Sequence, residues 1–180
     1  MRIETATIRR LRDALLQSGR RDSGVLSPAY ETLARAGVLT AEEHALLVHV
    51  DPVAETMFLM MAADGKITEN ERDAIRGAIR GLSDLQLHDG TVKVMLENYE
   101  RTLKLEGREA RLKHIADSLK DTPSDAEGAF ALAAAVALAD DEVADEERGL
   151  VSELARWFGI TRERASVILD ELEEDKSGGT

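Results

Sequence analysis

The chain has 180 residues, 43% hydrophobic and 32% charged, with 23 basic against 35 acidic side chains and a net charge of −12. That suffices for one domain with a substantial core, and the acidic excess opposes binding to nucleic-acid backbones and anionic membranes while favouring cations and basic partners. With no cysteine, disulfides, thiolate metal sites and cysteine catalysis are excluded.

Helical periodicity dominates and strand-like alternation is hard to find, so an all-α fold is expected. A first helix is predicted from about Glu4 to Ser18, with Ile8, Leu11, Ala14 and Leu15 inward. Ser27-Pro28 opens a second, with proline at the first helical position, and Gly37 closes it. Thr40-Ala41-Glu42-Glu43 reads as a capping box for a third. Asp51-Pro52 is expected to start a fourth, Val53 to about Ala63, apolar on nearly all sides and therefore buried. A further capping box, Thr68-Glu69-Asn70-Glu71, starts a helix carrying Ile75, Ala78, Ile79 and Leu82.

Two middle helices follow, near Gly90 to Leu105 and Arg108 to Leu119. Ser124-Asp125-Ala126-Glu127 is read as the cap of an alanine-rich helix, Ala129 to Ala139, small enough in section to sit at the centre of the core. A helix from about Asp145 to Phe158 stops at Gly159, and Thr161 caps the last, ending near Glu173. The expected organisation is an N-terminal helical extension (1–50), a helical domain (51–173) and a disordered tail (174–180). The start lacks the apolar run of a signal peptide, and the longest uncharged stretch, Gly128 to Ala139, is too short to span a bilayer. A cytoplasmic protein without a membrane span is expected.

One acidic motif occurs twice. Ala63-Asp64-Gly65-Lys66-Ile67-Thr68-Glu69-Asn70-Glu71-Arg72 returns as Ala139-Asp140-Asp141-Glu142-Val143-Ala144-Asp145-Glu146-Glu147-Arg148. A shift of 76 residues superimposes Glu55–Leu82 on Ala131–Phe158, which indicates a duplicated helical hairpin. The first copy matches the second half of a calcium loop, but the preceding ligand positions fall on Met60 and Ala62, and in the other copy on Val136 and Leu138. None of these side chains can hold calcium, so an EF-hand is rejected.

Two readings of the motif remain. In the first, Gly65 stops one helix, Ile67 anchors the turn, and Thr68 with Glu71 caps the next, so the carboxylates are structural. In the second, the two corners meet, and Asp64 and Glu71 face Asp140, Asp141 and Glu147. Such a cluster would call for a hard divalent cation, Mg²⁺, Ca²⁺ or Mn²⁺.

The Ala-Asp-Gly-x-Ile-x-x-x-Glu pattern after an apolar helix, with its second copy from Ala139 to Glu147, resembles the TerB family of tellurite resistance proteins. It is also similar to the related domain of the DjlA co-chaperones. The likeness covers about Asp51 to Glu173. It implies a helical domain in stress-response systems linked to tellurite, phage or membrane-associated complexes, with metal binding by acidic residues. Asp64, Glu71, Asp140 and Glu147 are the positions that carry over. The second copy has Asp141 where the family has glycine, and the J-domain signature His-Pro-Asp is absent.

Other candidate sites are weak. His44, His49, His88 and His114 form no ligand pair at helical spacing, and no nucleophile elbow, phosphate-cradling loop or zinc-protease motif is present. An enzyme is not expected. Leu154 to Leu169 has the glycine turn and cap of a helix-turn-helix, with Arg162 and Arg164 as phosphate contacts, but it runs into Asp170-Glu171-Leu172-Glu173-Glu174-Asp175, which DNA would repel. Met57, Met60 and Met61 beside Phe58 read as core filling. The expected function is a non-enzymatic module acting through an acidic surface, by divalent-cation binding or by docking a protein partner. The alternatives are a purely structural interaction domain without metal and a helix-turn-helix regulator.

Overall fold

Capping residues and glycine stops divide the chain into helices much as the periodicity predicts. The computed structural model describes Arg9, Asp13 and residues 28–63, 65, 67–137 and 145–177. Of the predicted first helix only Arg9 and Asp13 are described, both helical; the rest lies outside the described residues. The helices that follow are α1 (Pro28–Arg35), α2 (Ala41–Met61), α3 (Glu69–Leu82), α4 (Asp89–Glu106), α5 (Arg108–Leu119), α6 (Pro123–Ala137), α7 (Asp145–Trp157) and α8 (Arg162–Ser177). No strand occurs among the described residues, and the fold is an all-α bundle.

Local chemistry sets most of the boundaries. After α1 the Val38 N–H donates to Leu33 O at 3.0 Å, and after α7 the Ile160 N–H donates to Ala155 O at 2.9 Å. Both bonds pass around a glycine in the left-handed region, Gly37 at φ 69° and Gly159 at φ 67°, a conformation that costs glycine little. At α2 and α3 both predicted capping boxes form, Thr40 with Glu43 and Thr68 with Glu71.

Three expectations are corrected. Asp51-Pro52 does not begin a helix: Ala41–Met61 is one continuous helix with Pro52 inside it. An interior proline removes one helical bond and costs about 3 kcal/mol. Burial on both sides outweighs this, with Leu46, Leu47 and Val50 before the proline and Val53, Ala54 and Met57 after it all in the core. The Thr56 hydroxyl also donates to the Pro52 carbonyl at 2.7 Å. The expected division after residue 50 therefore falls inside α2. Second, Ser124 is not a cap, because α6 already starts at Pro123, where a missing N–H costs nothing and φ is preset. Third, α8 continues past Glu173 to Ser177.

The core forms around α2 and α6, the most extensively packed pair; α3, α4 and α5 also pack on α2, and α5, α7 and α8 on α6. The duplication is visible in these boundaries. The 76-residue shift carries Met61, the end of α2, onto Ala137, the end of α6, and Glu69, the start of α3, onto Asp145, the start of α7. Ala129, Ala133 and Ala134 are fully buried in α6, where small side chains leave room for neighbouring backbones. Replacing Ala133 by leucine should overpack this region and lower unfolding free energy by about 1–3 kcal/mol, measurable by urea denaturation.

Candidate functional site

The first acidic corner is a helix stop followed by a helix cap. Gly65, at φ 85°, donates its N–H to Ala62 O at 3.0 Å, and Ile67 packs against the core. The Thr68 N–H and hydroxyl both donate to Glu71 Oε2, at 2.6 and 2.8 Å, while the Glu71 N–H donates to Thr68 Oγ1 at 3.3 Å. Glu71 thus completes a cap. The Arg108 guanidinium reaches across from α5 and donates to Ala63 O at 2.8 Å. Arg72, from the repeated Glu-Arg pair, forms ion pairs with Glu100 on α4 and with Glu69. Two arginines, Arg72 and Arg108, therefore stand beside this corner.

Of the predicted ligands, Asp64, Asp140 and Asp141 lie outside the described residues, and Glu147 lies in α7 without a described side chain. Glu71 alone is described, and its Oε2 accepts from the Thr68 N–H and hydroxyl. Among the described residues no group of three or more metal-ligating side chains comes together. Arg164, one of the two helix-turn-helix candidates, makes a two-pronged contact with Glu127 on α6, Nε to Oε1 at 3.0 Å and Nη2 to Oε2 at 2.7 Å. This clamp ties α8 to α6 and holds the Glu127 carboxyl below its ordinary pKa.

The most constrained carboxylates lie elsewhere, on the buried helix α2. Glu43, with its side chain 2% exposed, completes the Thr40 cap through Oε2. Its Oε1 accepts from the His88 N–H at 3.0 Å, the His88 ring Nδ1 at 2.8 Å and the Thr91 hydroxyl at 3.2 Å. Burial alone would raise the Glu43 pKa, but the donors from His88, Thr40 and Thr91 outweigh it and bring the group down to about 2. One residue therefore fastens the starts of α2 and α4 together.

Asp51 has the opposite balance. The Tyr30 and Tyr99 hydroxyls both donate to its Oδ1, at 2.5 and 2.6 Å. Desolvation is the largest influence, Glu55 adds repulsion, and the carboxyl rises to about 6 despite both tyrosines and Arg111. Both phenols are pushed upward, mainly by burial and also by Asp51, so they remain donors. One turn on, Glu55 meets Arg111 of α5 in a two-pronged buried pair, Nε to Oε1 at 2.7 Å and Nη2 to Oε2 at 2.9 Å, and Glu106 closes on the remaining Nη1 at 2.9 Å. Sequence reasoning missed these groups. The signal was available: acidic residues at 51 and 55 within an otherwise apolar stretch demand partners when buried.

These linkages make two predictions. Glu43→Ala leaves donors from α2 and α4 without an acceptor and should cost roughly 2–4 kcal/mol, whereas Thr68→Ala, at the exposed cap, should cost about 1 kcal/mol; chemical denaturation compares them. Asp51 binds its proton more tightly folded than unfolded. Its contribution is fully present below the unfolded pKa near 4 and is lost as pH rises through about 6. Asp51→Asn cannot ionise. Between about pH 4 and about pH 7 its stability should therefore gain on wild type by roughly 2 kcal/mol, read from unfolding free energies at each pH.

No curated protein and no solved structure matches the chain. The family model described as Tellurite resistance protein TerB matches residues 51–168, from the middle of α2 into α8 and across both copies of the hairpin. That is well over half of the chain, and the protein belongs to the TerB family.

Proposed function

We propose that this TerB domain works without catalysis in a tellurite-resistance-type stress response, docking a basic partner through its acidic surface. The observation that carries the reading is the division of labour among the carboxylates. Glu43, Asp51 and Glu55 are spent on internal linkages. Asp170, Glu171 and Glu174 stand exposed on the outer end of α8, in a chain of net charge −12. Exposed like charges on a rigid helix attract a basic partner and accelerate its approach. A cytoplasmic setting fits the absence of cysteine. Among the described residues no helix is long and apolar enough to cross a membrane.

In a host lacking the gene, tellurite tolerance should be restored by wild type but not by an Asp170→Lys/Glu171→Lys variant with an unchanged melting temperature. Full rescue by that variant would overturn docking through α8. No effect of the deletion itself would overturn the stress-response role.

A second reading, a divalent cation at the acidic corners, is favoured by one observation: the cap uses only Oε2 of Glu71, and Oε1 accepts no hydrogen bond among the described residues. Asp64, Asp140, Asp141 and Glu147 would complete the site. Titration with Mg²⁺, Ca²⁺ and Mn²⁺ at matched ionic strength should then give saturable heat, weakened by Asp64→Asn and by Asp140→Asn. Absence of saturable heat for all three ions removes this reading.

A further inference from the structure

A pocket of about 610 Å³ opens between the end of α2, the turn that follows it, α3 and the α4–α5 junction. Its apolar wall is Phe58, Ile67 and Leu103. Phe58 is held in place by a tilted contact with Tyr99, ring centroids 5.5 Å apart. The charged wall is Arg72, Glu100, Lys104 and Arg108. Arg72 and Glu100 pair and largely neutralise each other. Arg108 is fixed by a bond to a neutral carbonyl, Ala63 O, which leaves its charge uncompensated by that contact. Lys104 is exposed at the rim and has no ion pair among the described residues. The described lining therefore carries a net positive charge in a chain whose total is −12. Asp64 and Lys66, which flank Gly65 in the sequence and lie outside the described residues, carry opposite charges.

We propose that this pocket binds a small, free organic anion: a single anionic head attached to a short apolar body. The head sits between Lys104 and Arg108, and the body lies on Ile67 and Leu103, which the buried Phe58 backs. The volume falls within the range of small-molecule sites. The sign of the local charge selects the head, since a cleft lined by one charge concentrates the opposite one. The apolar wall selects the body, because a hydrated inorganic ion gains nothing from covering it. Gly65 and Gly107 border the opening with left-handed backbones, φ 85° and 83°, and place main chain rather than side chain there. This site is separate from the acidic end of α8, so it does not depend on the docking role proposed there.

The test uses the full chain and octyl phosphate below its micellar concentration, with octanol and inorganic phosphate as partial probes. Binding is followed through the backbone amides of Gly65 and Gly107 in ¹⁵N correlation spectra. Octyl phosphate should shift both resonances saturably. Octanol and inorganic phosphate should each bind at least about tenfold more weakly, corresponding to about 1.4 kcal/mol. Lys104→Glu, at an exposed position, should weaken octyl phosphate by a similar factor without changing the melting temperature. Unmoved glycine resonances would overturn the proposal. So would octanol or phosphate binding as tightly as octyl phosphate, or a Lys104→Glu variant with wild-type affinity. If that variant fails to fold, the comparison of the three probes on wild type still decides.

Discussion

Three carboxylates on one buried helix have to be answered by other elements, and that requirement organises the bundle. Glu43, Asp51 and Glu55 lie along α2, whose remaining surface is largely apolar. An unpaired charge in that position would cost several kcal/mol, so each recruits donors from a different place. Glu43 takes the start of α4, Asp51 takes Tyr30 of α1 and Tyr99 of α4, and Glu55 takes Arg111 of α5. Hydrophobic packing holds these helices against α2 without fixing their register. The directional bonds fix it, because a helix displaced by one turn would leave a buried oxygen unsatisfied.

The same bonds account for the mixed electrostatics of the interior. Glu43 is surrounded by donors and is stabilised as an anion; Asp51, with two phenols and a neighbouring carboxylate, is held closer to neutrality. Equivalent side chains on one helix thus acquire opposite pH dependence from their surroundings alone. Their linkage contributions have opposite sign, so the stability of this domain across the acidic range is a balance between them.

Function attaches to what these linkages leave over. On either side of the turn after α2, Glu71 holds Thr68 and Arg108 holds Ala63, beside the pocket. Exposed acidic side chains, Asp170, Glu171 and Glu174, stand on the outer end of α8, while cationic ones line the opening near α4 and α5. A chain with a strong average charge can therefore present two surfaces of opposite character, and a net charge describes neither of them.

Most of the helices and their ends are legible in the sequence because they are set by neighbours a few residues away. The Thr40–Glu43 and Thr68–Glu71 boxes, the stops at Gly37 and Gly159 and the apolar spacing of Ile75, Ala78, Ile79 and Leu82 are local patterns with local causes. The 76-residue repeat is legible for the same reason, and with it the family. At the candidate site, the sequence reveals the capping role of Glu71; the side chains of the other proposed ligands lie outside what the structure describes. Local rules failed at Pro52, where a signal that ordinarily ends or begins a helix was overridden by packing on both sides of it. They were also silent about the partners of Asp51 and Glu55, which lie 21 to 56 residues away. The identity of a buried carboxylate is written in the sequence, but its donors are chosen by which helices meet, and that depends on the whole core closing at once.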